Sequence, residues 1–178
     1  QLNENLTNLQ QENADLSSKA SQYESELNRL ENSRMALEDQ LKGTGATVRI
    51  KNGAVSVLLP GAILFDAGQT ALRPQSKTTL KKIAGIIKTE TAGEIVRIEG
   101  HTDNDPISRQ KDKYKSNWEL SAARAAAVLH YMVEECGVSP TKVYIAGFGQ
   151  YQAMADNKSK TKKKKNRRVE FVIMPRGS

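Results

Sequence analysis

A heptad repeat over residues 2–41 constrains the fold of this chain more than any other feature. One series at seven-residue spacing comprises Leu2, Leu9, Leu16, Tyr23, Leu30 and Leu37. A second series, interleaved at steps of four and three, comprises Leu6, Asn13, Ala20, Leu27, Arg34 and Leu41. Residues at these alternating steps occupy the a and d positions of a coiled coil. The repeat therefore predicts a coiled-coil helix over residues 1–42.

Asn13 lies at an a position of this repeat. A buried asparagine at such a position favours a two-stranded register, so we expect a parallel homodimer. The alternatives are an antiparallel pair or a single helix that folds back onto the rest of the chain. Because the repeat is already under way at Leu2, we also expect the coil to continue upstream of residue 1 and to lead to a membrane anchor.

The sequence pattern changes after the helix. Two glycines, Gly43 and Gly45, predict a linker over residues 43–47. From Val48 to Leu59 apolar residues alternate on either side of Asn52-Gly53, which is typical of a β-hairpin. A helix is expected to open at Arg73-Pro74. Residues 95–100 read as a buried strand.

The second half of the chain continues this alternation. Ser116 and Glu119 form a candidate capping box at the start of a helix that runs to about Glu135. Residues 143–147 and 169–174 predict two further strands. Strands that alternate with helices predict an α/β fold of the α+β sandwich kind, with helices on one face of a mixed β-sheet. The last residues, 175–178, resemble the remnant of an engineered protease site.

Charge divides the chain into two parts. Residues 1–42 contain 4 Lys and Arg against 8 Asp and Glu, a net charge of −4, whereas residues 43–178 contain 23 against 12, a net charge of +11. The basic part favours an anionic surface. Its densest run, Lys158 to Arg168, predicts a solvated loop. Since no aromatic stacking platform adjoins this run, we do not expect nucleic acid as a partner.

The sequence contains none of the familiar catalytic motifs. There is no His-Glu-x-x-His and no Gly-x-Ser-x-Gly, and the two histidines, His101 and His130, lie far apart in sequence. We therefore expect a protein that is not an enzyme and that holds neither a metal nor a cofactor.

A candidate binding site combines a strand end with a helix start. Asp103 follows the strand over residues 95–100, and Asn117, Leu120 and Arg124 share one face of the next helix. Opposite charges on Asp103 and Arg124 suit a zwitterionic ligand, because a carboxylate accepts from an ammonium and a guanidinium holds a carboxylate by two hydrogen bonds. A plain salt bridge between these two residues is the alternative.

Four segments together resemble the OmpA-like (OmpA/MotB) peptidoglycan-binding domain. The segments are Leu64–Gly68, Glu99–Asn104, Ser116–Ala125 and Asn166–Glu170, and the resemblance covers roughly residues 48–174. It implies a mixed sheet with helices across one face, and a ligand that is the stem peptide of peptidoglycan, gripped through diaminopimelate. By the same resemblance, Asp103 takes the ammonium and Arg124 the carboxylate. The remaining pocket residues that it implies are Phe65, Asp66, Thr102, Asn117, Leu120 and Arg168.

The resemblance implies a non-catalytic module that anchors an envelope or membrane protein to the cell wall. Such a module works in the periplasm, on a protein anchored in the outer or the inner membrane. An alternative is the wall-anchoring periplasmic part of a flagellar stator (MotB-like) subunit. The segments Asp105-Pro106-Ile107 and Asn117–Ser121 resemble that branch of the family.

Overall fold

One mixed sheet of five strands forms the centre of the structure, a computed structural model that describes residues 1–89, 91, 93–108 and 110–175. The helices are α1 (Leu2–Gln40), α2 (Gly61–Leu64), α3 (Ser76–Thr89), α4 (Asn117–His130) and α5 (Lys160–Asn166). The strands are β1 (Thr47–Lys51), β2 (Ala54–Pro60), β3 (Glu94–His101), β4 (Val143–Gly147) and β5 (Arg168–Pro175). A π-helical turn, Tyr131–Glu135, extends α4, and a 3₁₀ turn, Pro140–Lys142, precedes β4. Of the predicted tag remnant, residues 176–178 lie outside the described residues.

The strand order is β1-β2-β5-β3-β4. Only β3 and β4 are parallel, and the other neighbours are antiparallel. The hairpin between β1 and β2 turns at Asn52 and Gly53, whose φ angles of 51° and 72° are both positive, as a type I′ turn requires. The mixed sheet and the hairpin predicted from the sequence are confirmed.

The hydrophobic core lies between one face of the sheet and the longer helices. Alternate residues of β2, β3 and β5 point toward it, including Leu59, Ile98 and Phe171, which are fully or almost fully buried. Helix α3 contributes Leu80, and α4 contributes Val128. The predicted arrangement of helices on one face of the sheet is therefore confirmed, and it leaves the ends of the strands open at the edge where α4 begins.

Helix α4 crosses the sheet at two adjacent glycines. Gly100 of β3 pairs with Gly147 of β4. A Cβ atom on Gly100 would lie 2.0 Å from the carbonyl oxygen of Ser121, and one on Gly147 would lie 2.7 Å from Cβ of Ala122. Only residues without a side chain allow this approach, because real Cβ atoms do not come so close to backbone atoms. The two glycines therefore set the distance between the start of α4 and the ends of β3 and β4.

The opposite face of the sheet carries a buried ionic cluster. Glu170 is fully buried and accepts hydrogen bonds from Arg168 (2.5 Å), Arg49 (2.7 and 2.8 Å) and Ser56 (3.0 Å). Burial opposes ionisation of Glu170, but hydrogen bonds from Arg49 and the charge of Arg168 outweigh it and lower the pKa of this carboxyl to about 2. The charged network thus remains ionised inside the fold.

The heptad residues of the long helix α1 fall into a buried group and an exposed group. Leu30, Leu37 and Leu41 are buried and belong to the core of the domain. The earlier members of the repeat are exposed: Leu2, Leu6, Leu9, Leu16, Tyr23 and Leu27. None of the helices in the described part of the chain is both long enough and apolar enough to span a membrane. The long helix is confirmed, whereas its pairing with a second copy remains a prediction.

Local details differ from the sequence expectations at two places. Helix α4 begins where expected, but Ser116 makes no capping bond with its side chain within the described residues, and Glu119 instead accepts from the backbone N–H of Lys115 (2.6 Å). The basic run is not a loop throughout, since residues 160–166 form α5. Ser159 caps that helix by accepting from the N–H of Lys162 (3.3 Å). A serine at this position is a sequence signal for the start of a helix, and the prediction of a loop from the basic charges alone overlooked it.

Replacing Gly100 with alanine should destabilise the protein by at least about 3 kcal/mol, because the new methyl group would press on the backbone of α4. The matched control is Gly85→Ala in the interior of α3, where a Cβ meets nothing within 4 Å. That change should stabilise the protein by about 0.5–1 kcal/mol. Denaturant titration of both variants measures the difference. Equal stabilities would contradict the close approach.

Candidate functional site

A pocket of about 400 Å³ opens where β3 ends and α4 begins. Residues from the loop after α2, and Arg167 immediately before β5, complete its wall. Seven of the eight residues predicted from the sequence line it: Phe65, Asp66, Thr102, Asp103, Asn117, Leu120 and Arg124. The strand ends and the helix start therefore bring together three segments that are separate in sequence.

Arg124 forms the inner wall of the pocket and is 8% exposed. Its Nε donates to the carbonyl oxygen of Gln69 (3.1 Å), and its guanidinium lies over the ring of Phe65, 5.3 Å from the centroid. Burial, and then the charge of Arg167, lower the pKa of this guanidinium. No carboxylate in the described residues forms an ion pair with Arg124, and Asp103 acts on its charge only at longer range.

Asp103 forms its ion pair with Arg167. Its other carboxylate oxygen accepts from the backbone N–H of Asp105 (3.1 Å). A carboxylate has about four acceptor positions, so these two bonds leave Asp103 able to accept more. The simple salt bridge between Asp103 and Arg124, which the residues alone allowed, is thus replaced by an ion pair with a different arginine.

Asn117 holds the strand end against the helix start. Its side-chain amide donates to the carbonyl oxygens of Asp103 (3.3 Å) and Asp105 (3.1 Å) and to Oε1 of Gln150 (3.0 Å). These bonds fix the backbone on either side of the Asp103 carboxylate. In the fold Asn117 therefore positions other groups of the pocket.

The remaining residues shape the walls and the rim. Asp66 is exposed and forms an ion pair with Arg73 (3.4 Å). Phe65 and Leu120 are buried and give the pocket its apolar part. The hydroxyl of Thr102 is buried and has no hydrogen-bond partner among the described residues. The pocket thus joins an apolar wall to two arginines and several acidic groups.

Arg168 is the one predicted site residue that the pocket does not include. Its side chain lies on the opposite face of the sheet and donates to Glu170 and to the carbonyl oxygen of Gln152 (3.0 Å). Arg167, the preceding residue, lines the pocket instead. Side chains alternate between the two faces of a strand, so Arg168 shares a face with Glu170, two residues later. That spacing was the available signal for assigning Arg167 to the pocket.

Glu99, His101 and Glu170 are close enough together to be considered as metal ligands. Their carboxylates are already bonded to cations: Glu99 to Arg97 (2.7 Å), and Glu170 to Arg49 and Arg168. A divalent ion would have to displace these guanidinium groups, and burial lowers the pKa of His101 while Glu99 accepts from it. This donor set therefore suits an internal ion network better than a metal.

Comparison with known proteins gives a consistent result. A family model described as the OmpA family matches residues 64–167. The uncharacterized protein YtxE of Bacillus subtilis is 39% identical over 137 residues, which cover 76% of this chain and 54% of that protein. Motility protein B of the same organism is 32% identical over 142 residues, which cover 80% of this chain and 50% of that protein. The chain thus spans about half the length of these curated relatives.

The fold also resembles a solved structure that is described as the cell wall anchor of the T6SS from Pseudomonas aeruginosa. The TM-score is 0.68 at 28% sequence identity, and the alignment covers 79% of this chain and 94% of that one.

Substitution of the two consecutive arginines should destabilise the protein to very different extents. Arg168→Ala leaves Glu170 buried without its closest partner and should cost about 3–5 kcal/mol. Arg167 is 37% exposed, so Arg167→Ala should cost about 1 kcal/mol or less. Chemical denaturation measures both, with the exposed Lys165→Ala as the control. If Arg167→Ala were the more damaging change, the assignment of the two side chains to opposite faces would be wrong.

Proposed function

The chain belongs to the OmpA family, and from that premise we propose that it anchors an envelope protein by gripping the diaminopimelate residue of a peptidoglycan stem peptide. Relatives of the chain are periplasmic or envelope-anchored proteins, and the chain shares with them a role at the cell wall. The family is a structural peptidoglycan-binding or anchoring domain. The flagellar-stator alternative shares this anchoring step, and the comparisons do not favour it over the general tether.

The contacts of the Arg124 side chain are the observation that supports the diaminopimelate grip. Its Nε is bonded to Gln69, its guanidinium lies over the ring of Phe65, and no carboxylate among the described residues forms an ion pair with it, although it lines the pocket. A guanidinium fixed in this way is prepared to hold a carboxylate by two parallel hydrogen bonds. Little side-chain entropy remains to be lost on binding.

Asp103 supplies the opposite charge of the proposed grip. It lines the same pocket, and its unused acceptor positions can take an ammonium group. Arg167 stays bonded to Asp103 and adds positive charge beside Arg124. The pocket then matches the side-chain terminus of diaminopimelate, which carries an ammonium and a carboxylate on one carbon atom.

We also propose that the exposed part of α1 forms a parallel coiled coil with a second copy of the chain. Residues 2–27 keep their a and d positions exposed, whereas Leu30 and Leu37 are buried against the domain. Two domains on one coiled coil would bind the same polymer, and the second binding event becomes intramolecular. Modest affinity at each site is then sufficient for a firm anchor.

Charges beside the heptad positions support a coiled coil that ends near Leu27. In a parallel pair, g positions face the following e positions of the other helix. Lys19 would then face Glu24 of the other copy, which is attractive, whereas Glu26 would face Glu31, which is repulsive. Each helix neutralises this second pair internally, since Glu26 bonds to Arg29 (2.9 Å) and Glu31 to Arg34 (2.8 Å). This like-charged pair falls where α1 begins to pack on its own domain, so it lies outside the proposed coiled coil and its charges are paired within one helix.

The proposed grip predicts the affinities of the parent protein and of Arg124→Ala for two stem peptides, one with diaminopimelate and one with lysine. Arg124→Ala should weaken binding of a diaminopimelate stem peptide about 10- to 100-fold, because the charge-assisted hydrogen bonds to the ligand carboxylate are lost. The lysine analogue of the peptide lacks that carboxylate, so it should bind the parent protein as weakly as the diaminopimelate peptide binds Arg124→Ala. Arg124→Ala should bind both peptides equally. Isothermal titration calorimetry measures the four dissociation constants.

A control for this experiment is Glu135→Gln, an exposed change remote from the pocket, which should bind like the parent. The grip through Arg124 is wrong if the parent does not distinguish the two peptides. It is also wrong if Arg124→Ala still prefers the diaminopimelate form.

The proposed coiled coil predicts that Leu9→Asp together with Leu16→Asp yields a monomer, because buried charges replace the central leucines of the exposed repeat. Analytical ultracentrifugation over a range of concentrations measures the mass. The matched control is Ser18→Asp with Ser25→Asp, which places the same charges on the f positions of the same helix. This control should remain dimeric, and a parent that stays monomeric at all concentrations refutes the dimer.

A further inference from the structure

A stacked aromatic pair lies exposed beside the candidate pocket. Trp118, in the first turn of α4, and Tyr151, in the turn after β4, have ring centroids 4.9 Å apart and planes inclined by 22°. Trp118 is 47% exposed and Tyr151 is 64% exposed. Large aromatic side chains usually gain stability by burial, so a pair held in solvent at a pocket mouth indicates a contact surface.

A second cavity, of about 390 Å³, opens beside this pair, and we refer to it as the aromatic cleft. Pro106, Ile107 and Asn117 line both the aromatic cleft and the pocket that holds Arg124. The two cavities are therefore neighbours that share a wall. A ligand in the pocket can continue into the cleft without leaving the surface of the protein.

The polar groups of the aromatic cleft suit a neutral ligand rich in hydroxyl and amide groups. Oε1 of Gln150 accepts from Asn117, which orients the amide N–H groups of Gln150 as donors. Lys111 and Lys115 add further donors, and no acidic residue lines the cleft within the part of the chain that the structure describes. Aromatic faces with a few polar groups at their edges provide both an apolar contact and orientation.

We propose that the aromatic cleft binds a pyranose ring of the glycan strand that carries the stem peptide. A sugar ring has an apolar face of C–H groups, which packs on the Trp118–Tyr151 pair, and N-acetyl and hydroxyl groups, which hydrogen-bond to the rim. This inference rests on the proposed binding of the stem peptide in the adjacent pocket. It adds a second contact, to a different chemical part of the same polymer.

Trp118 is the single tryptophan of the chain, so its fluorescence reports on the aromatic cleft. The full chain is titrated with two probes, the diaminopimelate stem peptide and the same peptide on its N-acetylglucosamine–N-acetylmuramic acid disaccharide. The disaccharide peptide should bind about 3- to 10-fold more tightly than the peptide alone. Only the disaccharide peptide should change the emission of Trp118 strongly.

Tyr151→Ala is the decisive variant, since the residue lies in an exposed turn and the tryptophan reporter is kept. It should abolish the gain from the disaccharide and leave the affinity for the peptide unchanged. Tyr151→Phe should keep the gain, because the ring face remains. The matched control is Tyr144→Ala, which removes another exposed aromatic ring, on β4. It should keep both the gain and the affinity for the peptide.

The two proposals fail in different ways. If neither probe binds, the proposed function is wrong, and this inference fails with it. If the peptide binds and the disaccharide adds nothing, or if the gain persists in Tyr151→Ala, the glycan contact alone is wrong. An aromatic pair that serves a protein partner would give the same absence of gain and would overturn the inference.

Discussion

The packing of α4 against the two paired glycines is the constraint on which the rest of the site depends. Gly100 and Gly147 let the helix backbone approach the ends of β3 and β4 far more closely than any side chain would allow. Arg124 on that helix and Asp103 after β3 consequently line one pocket. Because the contact is made by backbone atoms, a small displacement at Gly100 would move every polar group of the pocket that depends on α4.

The charged side chains of residues 167–170 have different roles on the two faces of the sheet. Arg168 and Glu170 form a buried ion pair on one face of the sheet, while Arg167 lines the pocket and forms an ion pair with Asp103. The pocket therefore contains an acid, Asp103, that already has one ion pair and an arginine, Arg124, that has none within the described residues. Such an imbalance favours a ligand that brings its own carboxylate.

The N-terminal helix α1 is divided along its length into an exposed part and a part that packs on the domain. A single heptad series contributes Leu30, Leu37 and Leu41 to the domain core and leaves Leu2 to Leu27 exposed. Since the end of α1 is packed on the domain, the direction in which the helix leaves the domain is fixed by that packing. Any coiled coil formed by the exposed part would inherit this direction, and the turn at residues 41–45 would contribute little freedom.

The sequence by itself determined the features that arise from local backbone geometry. Heptad spacing predicted the long helix, and Asn52-Gly53 predicted the hairpin. Eight site residues were predicted with the help of the family resemblance, and seven of them line the pocket. Only the tertiary structure decided which acid meets which base. Asp103 pairs with Arg167, which lies 64 positions away, and Trp118 at the start of α4 stacks on Tyr151 in the turn after β4. Such pairs depend on how α4 packs across the sheet, and periodicity along the chain carries no information about that distance.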